Sequence, residues 1–182
     1  RLSGKDTFAS AQAAPKVGGQ MSMFANEAQP VIYTPTTTLN IDVKIVDTKK
    51  KLADLVKELN SASVISFDTE TTSTEEMKAE IVGISLAIKE GEGYYIPTGH
   101  RAGTNLLLEQ VLAALKGPLT DPKIGKIAHN AKYDYIVLAK QGLRVSPLTF
   151  DTMLAEFIVD PASRNLGLKN MAFVKLGEEM TH

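Results

Sequence analysis

The stretch "VISFDTETTS" (residues 64–73) runs from Val64, Ile65 and Phe67 straight into Asp68-Thr69-Glu70. Its β-branched and aromatic start reads as a buried strand, and the two carboxylates stand at that strand's end. Residues i and i+2 of a strand share a face, with Cα atoms about 6.5–7 Å apart. Asp68 and Glu70 therefore project side by side, and Thr69 points the other way. The spacing alone carries no message in a chain of 182 residues with 21 acidic ones. A second such pair, Glu90/Glu92, falls in "KEGEG", which reads as a turn with solvated carboxylates. Context has to separate the two.

Around that strand the patterning is that of a folded domain from residue 41 onward. "LNIDVKIV" alternates as an edge strand. In "DTKKKLADLVKELN" Asp47 is a plausible N-cap, and Leu52, Leu55, Val56 and Leu59 form a helical stripe. "AEIVGISLAIKEGEGYYIP" reads as two strands joined by a turn at Glu90 to Gly93. "NLLLEQVLAALKG" is a helix closing at Gly117, and "KIGKIAHN" is a short strand carrying two lysines. "AKYDYIVLAKQG" is a helix stopping at Gly142, and "FDTMLAEFIVD" and "NLGLKNMAFVKLG" are two more helical patterns. Three consecutive strands followed by helix, strand and helix predict an α/β fold, a mixed sheet flanked by helices. Residues 1–40, rich in Ala, Gln, Gly, Pro and Thr and without a sustained period, read as a flexible linker. "MSMF" within them is either a short docking anchor or part of a loose tail.

Composition narrows the class. An apolar fraction of 43% suffices for a core, and 23% charged residues is ordinary for a soluble chain. The absence of cysteine excludes disulfide frameworks and thiolate metal sites and fits a cytoplasmic location. No apolar run approaches the ~18 residues of a membrane span, so no membrane partner is expected. A net charge of −1 denies the chain a broad basic surface. Any nucleic acid must be handled locally, over a few nucleotides.

Two hard oxygen ligands on one strand face suit Mg²⁺. A two-metal phosphodiesterase site, with ions about 3.5–4 Å apart, needs at least one more acid from elsewhere. "AHNAKYDYIVL" (residues 128–138) is the candidate source, because Asp134 lies early in an otherwise apolar helix. A carboxylate near a packed face is costly unless it meets a cation. The alternative is that Asp134 merely favours the helix N-terminus through the dipole, at ~0.3–1 kcal/mol.

Taken together, "FDTET", "HNAKYD" and "FDTMLAEFIVDP", in that order and spacing, resemble the 3′→5′ proofreading exonuclease domain of family A, DNA polymerase I type, polymerases. These belong to the DEDD exonucleases, with a ribonuclease H-like fold. The resemblance covers residues 41–182, and "GGQMSMF" is similar to the connection such polymerases carry after a 5′ nuclease domain. It implies that Asp68 bridges two Mg²⁺ or Mn²⁺ ions, that Glu70 binds one and orients the attacking water, and that Asp134 holds the second. It places Thr69, Thr74, His129, Asn130 and Tyr133 against a single-stranded DNA 3′ end. Thr74 stands where many relatives have a wedging Leu. The implied reaction releases nucleoside 5′-monophosphates, and the implied partners are 5′ nuclease and polymerase domains of the same parent chain.

The family's fourth acid, in a Tyr-x₃-Asp motif, has no match, since no Tyr follows Tyr135. Asp151 reads instead as the N-cap of the next helix or as an acid behind the site. The expectation is a domain cut before that motif, binding metal weakly and degrading DNA poorly by itself. Two alternatives remain: a ribonuclease D-like RNA exonuclease, and a catalytically silent domain bracing a polymerase.

Overall fold

The computed structural model describes residues 41–180. The linker reading of residues 1–40, with its "MSMF" anchor, and residues 181–182 lie outside the described residues. In chain order the elements are β1 (Asp42–Ile45), α1 (Lys49–Asn60), β2 (Val64–Thr71), β3 (Ile81–Lys89), β4 (Glu92–Pro97), α2 (Leu108–Thr120), β5 (Gly125–Ala128), α3 (Ala131–Lys140), β6 (Leu148–Asp151), α4 (Thr152–Val159) and α5 (Leu168–Leu176). They build a six-stranded sheet in the order β1-β4-β3-β2-β5-β6. β2 pairs antiparallel with β3, and β3 with β4. The pairings β1–β4, β2–β5 and β5–β6 are parallel. The sheet is mixed, as the element order predicted, with β1 at one edge.

β2 sits inside this sheet and its side chains alternate. Ile65 and Phe67 are buried, whereas Asp68 and Glu70 stay open to solvent. The core lies on the Ile65/Phe67 face. There Leu52, Leu55 and Leu59 of α1, Val111, Leu115 and Leu119 of α2, and Val137 and Leu138 of α3 pack with Ile84 and Ile96 of the sheet. Each such fully buried aliphatic side chain contributes about 1.5–3 kcal/mol. The helical stripe read in α1 is the buried one, with Val56 packed at its margin. No helix among the described residues is long and apolar enough to cross a membrane.

Three local expectations need correction. Thr48, not Asp47, caps α1: its hydroxyl oxygen accepts the Lys51 N–H, while Asp47 takes the Lys51 ammonium at 2.8 Å. A capping oxygen must reach the amide three residues on, and Thr48 is the one placed to do so. The α2 helix does not close at Gly117 but continues through Pro118 to Thr120. Pro118 and Leu119 are buried, and burying the extra turn offsets the amide that proline lacks. Glu92 is not a solvated turn residue. It opens β4, and its largely buried side chain meets Lys44 and Lys89, each at 2.9 Å, and accepts from the Tyr94 hydroxyl. Hydrogen bonding from Lys89 first, then from Tyr94 and Lys44, holds its carboxyl down at about 2. The turn itself is the Glu90–Gly91 step, where Gly91 takes φ +73°.

β3 carries one extra residue, Val82, opposite the Glu70–Thr71 step of β2, so the ladder shifts register there. Such bulges re-aim a strand end. Next to it, Gly83 pairs with Glu70, and a Cβ at Gly83 would lie 1.9 Å from the Tyr95 hydroxyl oxygen. The Tyr95 ring therefore lies across a position that only glycine leaves empty. Gly83→Ala is expected to destabilise the domain by about 1–3 kcal/mol. The check is a lower urea midpoint at unchanged slope, with Gly93→Ala, where nothing lies within 4 Å, as the variant that leaves the midpoint in place.

Candidate active site at the end of the central strand

Asp68 and Glu70 share the open face of β2. Across the β2–β3 ladder they face Ser85 and Gly83, and the Tyr95 ring lies over Gly83. Ser85 pairs in turn with Tyr95, and burial first, then the charge of Glu70, pushes the Tyr95 phenol up. The Tyr95 hydroxyl meets His100 Nε2 at 2.5 Å.

The second segment arrives through α3. β5 ends at Ala128, Asn130 takes a left-handed conformation with φ 56°, and α3 starts at once. That abrupt start puts Tyr133 and Asp134 in the first turn. Asp134 is 3% exposed. Its Oδ1 accepts the backbone N–H of Thr69 at 2.9 Å and the Thr69 hydroxyl at 2.5 Å. Thr69 points to the core side, as the strand period predicted, and uses that direction to hold the acid from α3. The carboxylate of Asp134 thus docks on the residue between Asp68 and Glu70.

The electrostatics follow from this crowding. Burial, then the charges of Asp134 and Glu70, push the Asp68 carboxyl up to about 6. Asp134 is pushed up as well, by burial first; the hydrogen bonds from Thr69 oppose that shift and the Glu70 charge adds to it. Asp68 and Asp134, from two distant segments, are therefore close enough to like charge for their ionisation to be disfavoured. Among the described residues no three acidic or imidazole groups converge tightly enough to cage an ion by themselves.

Beside the acids lies a cleft of about 710 Å³ lined by Thr71, Thr72, Ser73, Thr74, Asn130 and Tyr133. The Tyr133 hydroxyl donates to the Ser73 carbonyl and lies 2.5 Å from the Thr71 hydroxyl, which ties α3 to the loop after β2. Lys140, at the far end of α3, donates to the carbonyls of Glu76, Met77 and Ala79 at 3.3, 2.8 and 3.0 Å. The loop is thus held by α3 near both of its ends. Of the residues expected at a DNA end, Thr74, Asn130 and Tyr133 line this cleft, whereas Thr69 is buried against Asp134. The His129 ring turns toward α4, with Nδ1 2.9 Å from the Thr152 hydroxyl and Nε2 buried without a partner.

Sequence reasoning missed Lys140, for which a lone lysine in a last helical turn gives no signal beyond the helix dipole. For Asp151 the sequence offered a helix cap or an acid behind the site. That carboxylate caps α4, accepting from Met153 and Leu154, and also accepts the N–H groups of Asn130 and Ala131. The "FDT" pattern announces the cap but not the reach to α3.

Residues 43–181 match a family model described as 3′-5′ exonuclease. The chain is 41% identical over 157 residues to DNA polymerase I of Chloroflexus aurantiacus, covering 86% of this chain and 16% of that protein. It therefore spans about a sixth of the length of that relative. Among solved structures it is similar to the POL domain of Pol1 from M. smegmatis in complex with DNA primer-template and dNTP, with 27% identity and a TM-score of 0.61. That match covers 75% of this chain and 23% of the other. It is also similar to Escherichia coli RNase D, an exoribonuclease involved in structured RNA processing, with 26% identity and a TM-score of 0.60, covering 78% of this chain and 35% of that one. The likeness fits the ribonuclease H-like architecture expected of the sheet.

The raised Asp68 carboxyl sets a pH dependence. Its folded value of about 6 lies above its ordinary 3.8. The associated stability is fully present below pH 3.8 and is lost as pH rises through 6. In chelator, Asp68→Asn should therefore melt higher than the parent chain above about pH 7, with the gap closing toward about pH 4. Because Asp68 keeps solvent access, the gap is a few degrees, and melting curves across that range measure it.

Proposed function

We propose, because this chain belongs to the 3′-5′ exonuclease family of the DNA polymerase I enzymes, that it removes nucleotides from single-stranded DNA 3′ ends with Asp68, Glu70 and Asp134 as its acidic site. The observation that carries the reading is the docking of Asp134 on Thr69, which brings acids from two distant segments to one sheet end. Carboxyls raised by burial and by nearby like charge, as Asp68 and Asp134 are, are a functional signature, and a divalent cation relieves the repulsion. The donor set, hard oxygens only, fits Mg²⁺ or Mn²⁺. Bound there, such ions supply an ionised water near neutral pH and charge relief on the leaving oxygen.

The chain's own residues supply position. Glu70, projecting from the open strand face, orients the attacking water. Asp68, flanked in charge by Glu70 and Asp134, would help hold the cation, and Asp134 is fixed in direction by Thr69. Thr74, Asn130 and Tyr133 offer hydroxyl, amide and ring surfaces to the last nucleotides. His129 stands behind them against α4. A cleft of this kind suits a chain of net charge −1, because base stacking contributes about 1–3 kcal/mol per base without a basic patch. Selection for single-stranded ends gives proofreading a physical basis, since a mismatched primer end frays into the cleft more often. The relatives are whole DNA polymerase I enzymes, so the reading places this chain beside 5′ nuclease and polymerase domains of one polymerase.

A polymerase containing this chain should digest a 5′-labelled single-stranded DNA with Mg²⁺ or Mn²⁺, releasing nucleoside 5′-monophosphates. Asp68→Ala or Glu70→Ala should lower that rate by about a hundredfold or more while polymerisation persists. Undiminished digestion by Asp68→Ala would sink the reading. Faster cleavage of the RNA analogue would favour the ribonuclease D-like alternative.

Saturating Mn²⁺ should also raise the melting temperature of the parent chain, and raise that of Asp68→Asn far less. A scaffold without a metal site would show no such shift, so calorimetric melts with and without the ion separate the two.

A further inference from the structure

We propose that Asp151 is a positioning residue of the exonuclease site: one carboxylate at the end of β6 locks the first turn of α3, and with it Asn130, Tyr133 and Asp134, to the start of α4. The inference rests on the nuclease reading above and adds a residue to it.

Four backbone N–H groups from two helices converge on this side chain. Oδ1 accepts from Asn130 at 3.1 Å, Met153 at 2.9 Å and Leu154 at 3.2 Å, and Oδ2 accepts from Ala131 at 2.8 Å. Register explains the meeting, because Ala128 of β5 pairs with Asp151 of β6, so the two strands end side by side and both helices start there. A helix N-terminus leaves its first amides without intrahelical partners. α4 is capped by its own residue, whereas Asn130, the cap position of α3, makes no side-chain capping bond. Asn130 is also the one non-glycine with positive φ among the described residues, a conformation that persists only where neighbours enforce it. Asp151 is the neighbour that does so, filling the amides of Asn130 and Ala131 from across the sheet.

Two further observations agree. The His129 ring ties to Thr152, the residue after Asp151, so the β5 and β6 ends are joined twice. Burial pushes the Asp151 carboxyl up, yet the four amides more than offset it and hold the group below its ordinary value. The charge is thus kept at working pH, with two helix dipoles converging on it. Asp134 lies in the turn that this clamp starts, and its contact with Thr69 inherits the clamp's placement.

Asp151→Ser separates the clamp from an ordinary helix cap. A serine oxygen still caps α4 but is single and too short to span to Ala131. Asp151→Asn keeps an acceptor at the Oδ1 position, with its three bonds, and loses the fourth. Hydrogen exchange of this chain should show the amides of residues 130–134 exchanging tenfold or more faster in Asp151→Ser, with α4 and β3 unchanged. In the polymerase containing this chain, the half-saturating Mn²⁺ concentration for DNA digestion should rise, and the maximal rate fall, by about 10–100-fold, as for partners that orient metal ligands. Asp151→Asn should fall between the two. Uniform loss of protection across the domain would reduce Asp151 to a structural cap and overturn the inference. So would parent-like metal dependence in Asp151→Ser while Asp68→Ala is inactive. If Asp68→Ala also digests DNA normally, the nuclease reading fails, and the role of Asp151 in it falls too.

Discussion

Asp134 accepts both the backbone amide and the hydroxyl of Thr69, and this pair of hydrogen bonds fixes the register of α3 against β2. A carboxylate 3% exposed is costly to bury without partners, so α3 cannot slide along the strand without leaving it unpaired. Everything α3 carries inherits that placement. Tyr133 reaches Thr71 and Ser73 at one end of the loop after β2, and Lys140 takes three carbonyls at its other end. The cleft is therefore bounded by a strand, a helix and a loop that the helix holds. Sites placed on regular elements in this way keep their geometry better than sites carried by free loops.

Two aspartates of the sheet show how far environment decides the fate of one residue type. Asp68 lies within β2 among like charges, and its carboxyl is driven up toward neutrality. Asp151 ends its strand among amide donors, and its carboxyl is driven down. The first arrangement costs the fold stability near neutral pH. The second stabilises the fold and organises the residues that flank the first. Like-charge crowding at Asp68 and relief by amides at Asp151 lie on strands either side of β5, joined through α3.

Local rules explain most of what was legible in the residues and also where they stopped. The period of two in β2 put Asp68 and Glu70 on one face and Thr69 on the other, and the period of 3.6 in α1 selected Leu52, Leu55 and Leu59. Glu92 was misread because its turn-like neighbours say nothing of Lys44, which reaches it from the edge strand. The extent of α2 was misread because local punctuation at Gly117 was outweighed by burial of Leu119 in the core. Lys126 gave no sign of being fully buried. Its ammonium is satisfied by the carbonyls of Asp121 and Ile124, a turn whose shape only the folded chain defines.

Side-chain period, capping pattern and motif order determined the elements, the mixed sheet and the choice of three candidate acids, because each depends on residues near one another in the chain. Tertiary structure alone decided that Asp134 meets Thr69, that Lys140 holds the loop, that His129 turns to α4 and that Asp151 reaches two helices. Those contacts join segments distant in sequence. Their partners are chosen by strand order and by the need to satisfy buried amides and carboxylates, and no local pattern records either.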